Sequence, residues 1–172
     1  MTTDPEARGW SPRWIAALMM ALSGLFFFLA LLMQDMRALD SLNRETVPIG
    51  LMLRYAVAMA LGGALAGYLT SALFGRGAFG GLLRSFGGYL LAIVAGIVAS
   101  IFAGAFGAAF GEVPELLRDG YHTRDLVPIA GGAVILAFVA AGRPVLLLVW
   151  FGIVIATHVW TRKARRARFI PG

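Results

Sequence analysis

The amino-acid sequence predicts an all-α integral membrane protein, a polytopic bundle of about five transmembrane helices, with four spans plus a re-entrant segment as the alternative. Three observations carry this. Of 172 residues, 59% are hydrophobic and 14% charged, whereas an ordinary soluble domain has roughly 45–50% apolar and about 25% charged residues. A soluble chain of this length could bury only about 70% of its surface, so most of that apolar excess would face water. The apolar residues are also gathered into long runs free of Asp and Glu, the shape expected of spans. Together with a mean hydropathy of +0.80 and no cysteine, this excludes a soluble enzyme, a disordered tail and a disulfide-stapled secreted module.

Residues 1–11 form a polar N-terminal tail. Ser11 before Pro12 reads as an N-cap followed by proline at the first helical position, and Trp10 and Trp14 flank that start as aromatic side chains do at a membrane interface. The first span is placed at 14–33. A signal peptide would have a shorter apolar core ending in small residues, but here Phe26, Phe27 and Phe28 run on into Leu31, Leu32 and Met33, so the helix is read as uncleaved. A mixed-charge loop leads to a second span at 49–74, with Arg54 near its start as an interfacial anchor. A glycine-rich turn follows, then a third span at 82–110 with Arg84, again, near one of its ends. The loop after it contains a short interfacial helix opened by Pro114 and closed by Gly120.

The last apolar stretch, 126–160, has thirty-five residues interrupted only by Arg143. A single helix of that length would measure about 52 Å, well beyond a hydrocarbon core of about 30 Å. Gly142-Arg143-Pro144 supplies a break, giving spans at 126–142 and 144–160 with Arg143 at the hairpin tip. A re-entrant fourth segment is the alternative. Residues 12–160 therefore form one transmembrane domain and 161–172 a basic tail.

The net charge of +6 is concentrated at the C-terminus, where Arg162, Lys163, Arg165, Arg166 and Arg168 follow Trp160 directly. A basic cluster beside a span is a topology signal and a partner for anionic lipid headgroups, a reading preferred here to nucleic acid. The cluster places the C-terminus in the cytoplasm. Five spans then put ten basic residues inside and five outside, and four spans put nine inside and six outside. Both obey the positive-inside rule, so the side of the N-terminus stays open. Fourteen arginines to one lysine point to a GC-rich bacterial genome and hence to a bacterial inner membrane.

Gly88, Ala92, Gly96, Ser100, Gly104 and Ala108 recur at an unbroken spacing of four, and Gly63, Gly67 and Ser71 repeat the pattern in the second span. Residues four apart share a helix face, and small side chains there allow the close backbone approach that holds bundles together in lipid. Close packing between helices 2 and 3 is expected, though such faces also serve a second copy or another subunit. No Asp or Glu lies in any span, which argues against a proton-carrying carboxylate. No catalytic residue and no metal site is expected, and no cofactor beyond lipid. His158, about one turn from the end of the last span, is a candidate axial ligand for haem or a pigment, against the plainer role of an interfacial polar residue. His122 sits in the acidic loop and reads as solvated. Arg143, Arg54 and Arg84 are candidates for pairing with a ligand or partner. The expected function is a non-catalytic accessory, assembly or stabilising subunit of a larger membrane complex. The alternatives are a small transporter subunit using the broken hairpin at Arg143, and a haem- or pigment-binding subunit.

Overall fold

The computed structural model describes residues 10–40, 49–77, 82–111, 113–120, 126–134, 137 and 144–169. Every regular element among them is helical: α1 (Pro12–Asp40), α2 (Ile49–Leu69) continued by a 3-10 turn at Thr70–Ala72, α3 (Leu82–Gly111), α4 (Val113–Asp119), α5 (Leu126–Ala133) and α6 (Pro144–Phe169). The local reasons are those the chain chemistry supplies. The Ser11 hydroxyl accepts from the Trp14 amide at 3.4 Å and its carbonyl from the Ile15 amide at 3.1 Å, which caps α1 ahead of Pro12. Past α2, Gly75 and Gly77 have φ of 72° and 77°, a left-handed conformation that ends a helix at little cost only for glycine. Gly120, at φ 79° with its amide on the Leu116 carbonyl, ends α4 in the same way.

Among the described residues four helices are long and apolar enough to cross a membrane: Pro12–Leu32, Ile49–Ala72, Ser85–Gly111 and Val145–Ala167. Neighbours run antiparallel. Gly24, Gly63 and Gly67 meet Met59, Met20 and Ala16 across α1 and α2. Gly62, Gly107 and Gly111 meet Phe106, Met59 and Tyr55 across α2 and α3. Gly96 meets Val154, and the Trp150 indole donates to the Ser100 hydroxyl at 3.0 Å, across α3 and α6. The start of α1, the end of α2, the start of α3 and the end of α6 therefore share one end of the bundle.

This geometry decides between the two expected span counts. Five crossings would separate the start of α1 from the end of α6, yet Ser11, Arg13 and Arg165 line one cleft. Among the described residues the count is four, and α5, at eight residues, is too short to be a further crossing. This helix packs Gly132 on the backbone of Gly104 and stops at Ala133 in tight turns, Val134 to Gly131 at 3.2 Å and Ala137 to Val134 at 2.9 Å. Pro144 lies six residues before Trp150 and so starts α6 about 9 Å above the Ser100 contact, near the end of α3 from which α5 descends. The expected hairpin tip, Arg143, lies outside the described residues, as does His122.

Two boundaries also move. α1 continues to Asp40, so the first part of the mixed-charge loop is helix. α6 continues to Phe169, so most of the expected basic tail is its last turns. α1 and α3 are the inner pair, each with 44% of its span buried against 28% for α2 and α6. Their contact, and the two flanking helices, enclose Ala16, Met20, Phe27, Ala66, Phe74, Ala92, Ala95, Ala99, Trp150 and Val154. Leu18, Leu22, Leu25 and Leu29 form the outward stripe of α1, the face lipid covers.

Candidate functional site

Among the described residues, side-chain hydrogen bonds between segments gather at the end shared by α1 and α6. The turn after α2 folds over the last turns of α6, and the side chains there bond it in place. Arg165 donates from Nε to the Phe74 carbonyl at 3.1 Å and from Nη2 to the Ser71 carbonyl at 2.9 Å. Arg162 donates from Nη1 to the Ser85 hydroxyl at 3.1 Å and from Nη2 to the Gly77 carbonyl at 3.0 Å. Arg76 reaches back to the Ala72 carbonyl at 2.9 Å. Carbonyls at the end of a helix lack intrahelical donors and carry the negative end of its dipole, so guanidinium groups suit them.

His158 lies at the centre of this cluster and is fully buried. Its Nδ1 accepts the Gly75 amide at 3.2 Å, and its ring packs against Tyr89 at a tilt of 37° with centroids 4.5 Å apart. Gly88 has no room for a side chain between the Arg76 carbonyl and the imidazole. An accepting Nδ1 leaves the proton of the neutral ring on Nε2, and Nε2 has no partner among the described residues. Ligating a haem iron or a pigment metal through Nε2 needs that proton gone and moved to Nδ1, which would release the Gly75 amide. Thr157 and Thr161, also buried, donate to the Ile153 and Thr157 carbonyls of their own helix.

The other expected site residues separate into distinct roles. Helices 2 and 3 do pack closely, but through Gly62, Gly107 and Gly111; the two ladders themselves face elsewhere. Gly63 and Gly67 approach α1, Gly88, Gly96 and Ser100 lie against α6 and the turn, and Gly104 receives α5. Ala92 is buried with Ala95 and Ala99, and Ala108 is half-buried. Ser71 is buried and holds Arg165 through its carbonyl. Of the five C-terminal basic residues, Arg162 and Arg165 turn into the chain, Lys163 and Arg166 are exposed, and the side chain of Arg168 lies outside the described residues. The Arg84 side chain does too. Arg54 is exposed at the opposite end, with its Nε on the Gly50 carbonyl at 3.4 Å.

Tyr89, Ser85 and Trp150 are the cluster and core partners that sequence reasoning passed over. A signal existed: Thr157, His158, Thr161, Arg162 and Arg165 recur at steps of three and four, one polar stripe along a helix otherwise apolar.

These features define a class, an all-α polytopic membrane protein with its helix ends tied together on one side. Scans against family models, curated proteins and solved structures find no match for the chain.

Proposed function

We propose that the chain is a non-catalytic component of a bacterial inner membrane, an accessory or stabilising subunit of a larger complex, with its basic end in the cytoplasm. The observation that supports this is where the polar side chains of the interior go. Ser100 and Trp150 bond to each other, and Thr70, Thr157 and Thr161 bond to carbonyls of the preceding turn. Gly62, Gly63, Gly67, Gly96, Gly107 and Gly111 are likewise closed helix on helix, which leaves the outer faces of the bundle to act on other proteins. Among the described residues no group of three His, Cys, Asp or Glu side chains comes together.

The orientation follows from charge. By chain order, the end holding both termini carries nine basic and two acidic residues, and the opposite end six and seven. The positive-inside rule places the first in the cytoplasm, where Lys163, Arg166 and Arg168 meet anionic lipid. The chain has no cysteine, so single cysteines at Trp10, Arg166 and Leu117 report sidedness directly. Trp10 and Arg166 should label from the cytoplasm and Leu117 from outside; labels for Trp10 and Arg166 on opposite faces would overturn the topology. For the subunit role, mild detergent extraction and native mass analysis should find the chain in a stoichiometric assembly. Substituting the exposed Gly152→Phe on α6 should disrupt that assembly without unfolding the chain. A lone monomer with an activity of its own would sink the reading.

One observation favours a second reading, a small transporter subunit. Helices broken at membrane depth and packed on other helices are where transporters offer backbone groups to solutes, and α5 is such a helix. Loss of anionic-solute uptake in Arg143→Ala, with expression unchanged, would support it; unchanged uptake would count against it.

A further inference from the structure

We propose that the cleft between the start of α1 and the end of α6 is a phosphate-binding site, taking the phosphate of an anionic phospholipid headgroup or of a small phosphorylated ligand. The cleft has a volume of about 730 Å³ and is lined by Ser11, Arg13, Tyr68, Ser71 and Arg165 among others. That is within the roughly 300–1,000 Å³ typical of small-ligand sites. It sits where three of the spans end, at headgroup depth.

Two guanidinium groups face it from different helices, and both are held. Arg165 is fixed by its bonds to the Phe74 and Ser71 carbonyls at 3.1 and 2.9 Å. Those bonds engage two of its five N–H donors and orient the rest of the fork, the geometry that suits a phosphate. Arg13 lies over the Tyr68 ring at 5.8 Å from its centroid, and the Trp14 ring packs edge-on against the same Tyr68 ring with centroids 5.8 Å apart. α1 begins at the cleft, adding the positive end of its dipole.

The second, independent observation is the missing counter-charge. No Asp or Glu occurs in residues 7–34, 46–111 or 126–172. Among the described residues lining the cleft there is no Asp or Glu, so the arginines are answered there by carbonyl dipoles and by no carboxylate, and an anion seated between them supplies the missing charge partner. Phosphate supplies it in a form the fork can bind with two parallel bonds.

The test uses the full chain in detergent micelles, with native mass spectrometry as the readout. Titrated phosphatidylglycerol should saturate at one tightly held molecule, and phosphatidylcholine should bind more weakly. Arg13→Gln keeps the Arg165 bonds to the turn, so it should fold as the parent does and weaken the phosphatidylglycerol adduct about tenfold, the effect of one lost charged contact of about 1.4 kcal/mol. Arg118→Gln, at the opposite end, should leave it unchanged. Millimolar inorganic phosphate that displaces the lipid would indicate a small phosphorylated ligand, and lipid retained against phosphate would indicate a headgroup. Adducts that never saturate, or an Arg13→Gln protein that binds as the parent does, would overturn the proposal.

Discussion

Two regions hold this bundle together by different physics. At mid-membrane depth the contacts are backbone against backbone: Gly63 on Met20, Gly24 on Met59, Gly132 on Gly104. At the basic end they are hydrogen bonds from Arg162, Arg165 and Gly75 to groups on other segments. The difference reflects the surroundings. In hydrocarbon there is no hydrophobic drive between helices, so attraction comes from the dispersion gained when small residues let helices touch. At the headgroups water competes for polar groups, and the turn after α2 keeps its shape through charge-assisted bonds that water replaces poorly. One region is specified by the absence of side chains, the other by long ones.

The largest expected effect is in the glycine region. Gly63→Val places side-chain atoms into the Met20 carbonyl and should cost about 3 kcal/mol or more by overpacking. Gly152→Val, where nothing lies within 4 Å, should cost nearly nothing. Unfolding in mixed micelles titrated with a denaturing detergent measures both, and equal losses would show that the close approach does not matter. The next largest is Arg165→Met, which strips the Phe74 and Ser71 carbonyls of their donor and should cost about 2–3 kcal/mol. Arg165→Lys should recover only part of this because an ammonium has no planar fork.

His158→Phe keeps the packing against Tyr89 but leaves the Gly75 amide without an acceptor, for about 1–3 kcal/mol. Faster hydrogen exchange at the turn is the specific sign, since a cavity alone would not produce it. Apart from the Gly152→Val control, the smallest effect belongs to Trp150→Phe. Its bond to Ser100 is interhelical and inside the membrane, where such bonds average about 0.6 kcal/mol. A loss several times larger would mean that Trp150 holds α6 by shape and that the contrast between the two regions is less sharp than drawn.

Much of this was legible before any coordinates. The runs of apolar residues announced the helices, Ser11-Pro12 announced where α1 begins, and the glycine spacing announced close packing. What each glycine faces was not legible. Gly62 and Gly63 are adjacent in sequence, yet one meets α3 and the other α1, because successive helical residues point about 100° apart. The basic tail illustrates the same limit. Arg162, Lys163 and Arg165 are equivalent as charges, and only the angle each takes on α6 sends the first and third into the turn and the second to the surface.

The count of spans is the plainest division. The thirty-five-residue stretch 126–160 demanded a break, since no single helix of that length fits a bilayer, and that much is a matter of rise per residue. Whether that stretch adds one crossing or two depends on which end of the bundle α6 finishes at, a relation between residues such as Arg13 and Arg165 that no local pattern encodes. Composition and periodicity determined that this chain lies in a membrane as helices with small-residue faces and a basic end. The tertiary structure alone decided that the described residues form four spans, that the start of α1 and the end of α6 lie together, and that two of the five terminal cations turn inward, because each depends on contacts between segments far apart in sequence.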